Sequence, residues 1–147
     1  MPSELAVHAK HQGGMCFAIE AVKHAVTVDY PLQPGAVTGG MRPLEILLSS
    51  FAGCVGGTMA MLLDRMKQPV SELEVEVRGL RRDEHPTVFT ELNVEVVVSG
   101  AGVDPDAVSR ALEQCEMHVA PVWAMLKAGT PIRSSFRIVE DGASAIS

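Results

Sequence analysis

A chain of 147 residues with 47% hydrophobic but only 4% aromatic side chains can bury one aliphatic core without disulfide or metal support, and eight methionines supply soft filling for it. A net charge of -6 and a pI near 5.3, with no basic cluster longer than Arg81-Arg82, exclude nucleic acid as an expected partner. The opening MPSELAVHAK lacks a basic stretch followed by an apolar segment, and three cysteines cannot all pair within one chain, which predicts a cytoplasmic protein with reduced thiols, organised as one domain over residues 1–147.

Three short strands are predicted first, over residues 5–11, 15–22 and 24–32. Gly13-Gly14 marks a hairpin, and Val26, Val28 and Tyr30 alternate with Thr27 and Asp29 at the period of a half-buried strand. Two prolines and three glycines in residues 31–40 make that stretch a loop.

Pro43 then opens a helix predicted to run to about residue 66, because proline suits the first helical position and Glu45 in the first turn complements the positive end of the dipole. Residues 46–63 carry no charged side chain. The run meets the length threshold for a bilayer span, yet Ser49, Ser50, Gly53, Gly56, Gly57 and Thr58 dilute its hydrophobicity. The expectation is a central core helix, with no membrane, whose small residues admit close approach of another backbone, such as a second copy across a dimer axis.

Beyond Pro69, residues 72–78 place Leu73, Val75 and Val77 on one face and charges on the other, and residues 90–99 repeat the pattern with Leu92, Val94, Val96 and Val98. A long hairpin follows. Asp104-Pro105 supplies an N-cap and an N1 proline to an amphipathic helix with Val108, Leu112, Cys115 and Val119 on one face. Pro121 interrupts it, residues 122–128 form a shorter helical piece stopping at Gly129, residues 132–140 form a last strand, and the tail beyond Asp141 is expected to fray. The class is α+β without βαβ alternation.

Chemistry concentrates on Cys54, in the middle of the uncharged helix. A thiol there is either packing or a shielded nucleophile, and only the thiolate attacks electrophilic oxygen or sulfur. His8, His11, His24, His85 and His118 show no HxxxH or HxH spacing, and phosphate-binding and CxxC motifs are missing, so neither metal nor cofactor is expected.

The segments GGMRPLEILLSSFAGC, MKQPVSELEVEVRG, EHPTVF, GVDPDAVSRALE and APVWAML, taken in order, resemble the OsmC/Ohr family of osmotically inducible and organic-hydroperoxide-resistance proteins, and most of all its OsmC-like branch. The resemblance implies antiparallel sheets around a long buried central helix and an intertwined homodimer with a site at each subunit interface. In the peroxidase branches a cysteine on this helix attacks an organic hydroperoxide, becomes a sulfenic acid and condenses with a second cysteine, which a dithiol later reduces. Cys54 matches the first cysteine.

Two positions depart from that pattern. Ala120 stands where the second cysteine is common, and Cys115, five residues earlier, would point roughly 140° away from position 120 on a regular α-helix. As a stand-in resolving thiol, Cys115 is weighed against simple packing, as is Cys16 in its predicted strand. Leu44 follows Pro43 where the peroxidase branches carry glutamate. Glu45 lies nine residues before Cys54, about 13 Å along one helix, so it could reach such a thiol only across a dimer. Arg42 is the nearest cation that precedes Cys54 in sequence, and for both residues helix-start electrostatics competes with a catalytic role. Two functions are carried forward: a thiol peroxidase using an external thiol reductant, with Cys54, Glu45 and Arg42 as site residues, or a noncatalytic dimer holding a small apolar ligand in a pocket lined by Met and Leu side chains.

Overall fold

The computed structural model describes residues 3–140; the predicted frayed tail lies outside them. The chain divides into two compact units, one up to Leu47 and one from Leu48 onward, so that the boundary falls inside the long helix.

The first unit is an antiparallel meander of β1 (His8–Gly13), β2 (Cys16–Ala21) and β3 (His24–Val28). Phe17 pairs with Val28 and Ile19 with Val26. The turns fall where positive φ is available, at Gly13 and Gly14 and, against the usual preference, at Val22. The third strand stops at Val28, earlier than alternation predicts, because Asp29 leaves the ladder: its N–H donates to the Met41 carbonyl at 3.0 Å. Its carboxylate accepts from the N–H groups of Tyr30 at 2.8 Å and Gly39 at 3.0 Å. Residue 40 must be glycine for this closure, since a Cβ there would run into the Thr27 carbonyl. Val28 is buried, whereas Phe17, Val22, Val26, Leu32 and Val37 are exposed.

The helix α1 (Pro43–Arg65) starts where proline and Glu45 place it. In the second unit it buries Phe51, Val55, Met59, Leu62 and Leu63, a stripe at 3.6-residue period whose complete removal from water contributes about 1.5–3 kcal/mol per large side chain. The helix is buried on one side only: Ser50, Gly53, Gly57, Ala60, Met61 and Asp64 form an exposed stripe. By length and composition it is the one described helix able to cross a bilayer, with 28% of its apolar window buried.

Strands β4 (Glu72–Arg81) and β5 (Phe89–Ser99) form the predicted hairpin, with Leu73 opposite Val98, Val75 opposite Val96 and Val77 opposite Val94. Leu92, Val94, Val96 and Val98 are buried. The opposite face carries ion pairs, Arg133–Glu91 at 2.7 Å and Arg137–Glu95 at 3.2 Å.

Two features depart from the sequence expectation. The last strand, β6 (Ile132–Val139), runs parallel to β5, with Val96 level with Phe136 and Val98 with Ile138. The second sheet is therefore mixed, and a crossover of the β-α-β kind joins β5 to β6. The helical segments between β5 and β6 supply the dozen or more residues such a connection needs. The other departure is that α2 (Pro105–Gln114) does not continue regularly: residues Cys115–Val119 form a π-helical turn before α3 (Pro121–Lys127). The Ala120 N–H bonds to the Cys115 carbonyl, residue 120 is buried, and Val119, expected on the apolar face, is 38% exposed. The extra residue in the turn shifts the inward position from 119 to 120.

Candidate functional site

Arg42 and Glu45 sit at the entrance of α1. Glu45 is the third helical residue, and its Oε1 accepts from the Arg42 backbone N–H at 3.0 Å, while the Arg42 carbonyl receives the Ile46 N–H at 3.0 Å. This is the reach-back half of a capping box, with arginine where serine or threonine is usual. The Arg42 guanidinium lies 3.9 Å from the same carboxylate oxygen, with the two side chains 48% and 56% exposed. An exposed pair so spaced contributes little by itself; the backbone bond to the helix start is the stronger term.

Cys54 is a free thiol, half-buried on α1 and packed against the core cluster of the second unit. The residue one turn further on is Thr58, and i, i+4 spacing stacks the two side chains on one face. Cys115 caps the C-terminus of α2 and is completely buried. Burial first, then the charge of Cys54, push the Cys115 thiol from an ordinary 9.0 up to about 11; Thr58 opposes them, and Glu116 adds a further push. Cys115 is thus a protonated thiol at neutral pH.

Its backbone is fixed. The N–H is shared between the Ala111 and Leu112 carbonyls, and the carbonyl accepts from Ala120. The regular α-helix on which residues 115 and 120 diverge by 140° is not the geometry present. An i→i+5 bond brings residue 120 back over residue 115 much as an i→i+4 bond stacks α-helical neighbours, and both residues are buried.

The structure places two of the sequence candidates, Cys54 and Cys115, in the second unit, with Cys54 packed against the buried cluster that contains Cys115. It joins Arg42 to Glu45 in the first, where Cys16 also lies, half-buried in β2. Thr58 was not among the sequence candidates, and its spacing from Cys54 was the available signal. Three residues before Cys54, Phe51 meets Trp123 edge to face, with ring centroids 5.5 Å apart and planes at 81°. A cavity of about 380 Å³ on the outer face of the second sheet is lined largely by Glu76, Arg78, Asn93, Glu95 and Arg133.

Comparison with known proteins agrees with this architecture. The profile of the family described as OsmC-like protein matches residues 35–135. Protein YhfA of Escherichia coli K12 is 30% identical over 97 residues, 66% of this chain and 72% of that protein. The OsmC-like protein from Mycoplasma pneumoniae superimposes with a TM-score of 0.79 at 15% identity, covering 95% of this chain and 99% of that one. An organic hydroperoxide resistance protein from Elizabethkingia anophelis gives 0.71 at 15% identity, covering 95% and 99%. The chain belongs to the OsmC/Ohr family, in its OsmC-like form, and has that family's α+β fold.

Proposed function

We propose that the protein reduces organic hydroperoxides, with Cys54 as the nucleophile and an external thiol as the final reductant. The observation that carries this reading is a free thiol, half-buried against apolar side chains on the central helix. Such a site suits the apolar part of an organic peroxide while limiting water. The name borne by the Elizabethkingia structure supports the same substrate class.

The working form in this proposal is a cytoplasmic homodimer. Two observations support pairing: the exposed small-residue stripe of α1, which permits close helix approach, and the exposed apolar side chains of the first sheet. Arg42 and Glu45 enter only through that dimer, as an exposed pair at the mouth of α1 able to serve the thiol of a second copy.

The test is consumption of cumene hydroperoxide by purified protein with excess dithiol, beside a Cys54→Ser control. Turnover that disappears in the control supports the reading; equal consumption by the two proteins ends it. Sedimentation velocity reads the dimer separately.

A further inference from the structure

The face of the second sheet opposite its buried valines carries two adjacent rows of charge. Arg78, Asn93 and Arg133 stand level across β4, β5 and β6, and Glu76, Glu95 and Ser135 form the next row. Directly opposite partners project on the same face. All six line the cavity of about 380 Å³, a volume within the range of small-molecule sites. Cys54 packs against the cluster on the other side of the sheet, so occupancy of this cavity is independent of the chemistry proposed for that thiol.

Neither row is satisfied from within. In the first, Nη2 of Arg78 lies 3.0 Å from Glu76 and Nε of Arg133 lies 2.7 Å from Glu91, and both arginine side chains are largely exposed. A guanidinium has five N–H donors, so each keeps donors beyond those its carboxylate engages. The Asn93 amide between them bonds to no other described residue. In the second row Glu76 and Glu95 face each other directly across the strands, a like-charge pairing that destabilises a sheet. Their side chains are only 29% and 33% exposed, which limits screening by solvent. Each has one arginine nearby, Arg78 at 3.0 Å and Arg137 at 3.2 Å.

We propose that this cavity binds a short zwitterionic peptide of about two residues, its carboxylate on Arg78, Asn93 and Arg133 and its ammonium on Glu76 and Glu95. Neighbouring positions on one face of a strand are two residues apart, about 6.4–6.8 Å, and a fully extended dipeptide spans about 6.6–7.2 Å. A single α-amino acid has about half that span; it satisfies one row and leaves its other charge short of the second. A plain anion would meet the arginines but lie beside two carboxylates, and a plain cation would meet the converse. The two arginines and two glutamates of the lining cancel, and a zwitterion preserves that balance while adding charge-assisted hydrogen bonds at both ends. Ser135, level with Glu95, offers its hydroxyl as a further acceptor for the ammonium. Because the arginines are open to solvent, binding is weak and salt-sensitive.

The experiment titrates the full chain with glycylglycine, glycine, N-acetylglycylglycine, glycylglycinamide and inorganic phosphate, and follows the NMR signals of the Asn93 side-chain amide and the arginine Nε–H groups. Saturable shifts are expected with glycylglycine, at an affinity about tenfold above each of the other probes, the effect of losing one charge-assisted contact. Arg133→Gln should narrow the gap between glycylglycine and glycylglycinamide and leave the gap to N-acetylglycylglycine. Glu95→Gln should do the reverse, a matching of row to ligand end that loss of folding cannot produce. If N-acetylglycylglycine or phosphate binds as tightly as glycylglycine, the cavity is an anion site and the zwitterion is overturned. Equal or tighter binding of glycine overturns the peptide length. No saturable shift with any probe, the behaviour of charges that satisfy one another in water, overturns the site itself.

Discussion

The N–H of Ala120 donates to the carbonyl of Cys115 at 3.0 Å, and this single i→i+5 bond brings residue 120 over residue 115 instead of 140° away from it. A thiol placed at 120 would therefore enter the same buried region. With Cys54 as the peroxide-reactive thiol, the double variant Cys115→Ala, Ala120→Cys should form a peroxide-driven disulfide with Cys54. Ala120 is 2% exposed, so the added sulfur should cost about 1–3 kcal/mol in overpacking. Non-reducing peptide maps give the pairing and denaturant titration the cost; a variant that folds and leaves both cysteines free would show that the stacking does not carry over to Cys54.

Cys115 links stability to alkaline pH. Its thiol titrates at about 11 in the folded protein against 9.0 ordinarily. Below about pH 9 both states hold the proton, and the group adds no slope. Between about 9 and 11 the unfolded chain has released it while the native chain has not, so ν_U − ν_N is negative and stability falls as pH rises, by roughly 2–3 kcal/mol in all. Urea titrations of wild type and Cys115→Ala across that window should converge toward high pH, since only the wild type carries this term. Parallel pH profiles would remove it.

Much of the architecture is legible in the sequence, for local reasons. Pro43, the alternation in β4 and β5, and Asp104-Pro105 each act through backbone chemistry within a few residues, and the elements they predict begin within one residue of where they are found. What escaped is tertiary. The direction of β6 depends on how a crossover packs, and period alone does not distinguish parallel from antiparallel neighbours. The break at Cys115 is a choice between i→i+4 and i→i+5 bonding that the run of Val108, Leu112, Cys115 and Val119 does not encode; burial of Ala120 decides it. Uniform lack of charge hid the one-sidedness of α1, since glycine and alanine suit both a core and an open stripe. For the same reason Cys54 was legible as a candidate, but its packing against the buried cluster that holds Cys115, 61 positions later in the chain, was not.

Glu45 separates capping from chemistry. Glu45→Ala removes the acceptor for the Arg42 N–H and should cost about 0.5–2 kcal/mol of stability. Glu45→Gln keeps an oxygen able to accept that bond and loses only the charge, so it should retain most of the stability. If peroxide consumption by Glu45→Gln collapses while its melting temperature holds, the carboxylate charge belongs to the reaction as well as to the helix start.

Gly100 fixes the junction between β5 and the loop leaving α1. A Cβ there would run into the Pro69 carbonyl and sit 2.9 Å from Val103 Cγ2, at a backbone φ of +157°. Gly100→Ala must displace backbone rather than a flexible side-chain end and should destabilise the fold by about 2–3 kcal/mol. Gly102→Ala is the control: nothing lies within 4 Å of its added Cβ, and its φ is +82°, so its cost comes from backbone strain alone, about 1–2 kcal/mol. Equal costs for the two would show that the Pro69 contact relaxes freely.

Trp123 is the single tryptophan of the chain, completely buried, and its indole N–H has no hydrogen-bond partner among the described residues. It meets Phe51 edge to face, three residues along α1 from Cys54, and follows Ala120 by three. Trp123→Ala removes a large core side chain and should cost about 3–5 kcal/mol. Trp123→Phe loses less volume, keeps an aromatic edge and also removes the unpaired donor, whose burial is itself unfavourable by about 1–3 kcal/mol, so its net cost should be clearly smaller. Because α1 and α3 meet through this ring pair, rearrangement around Cys54 on oxidation should alter tryptophan fluorescence in the wild type and leave it unchanged in Cys54→Ser. A stability loss in Trp123→Phe equal to that in Trp123→Ala would mean that the indole N–H is satisfied in solution, most simply by a bound water.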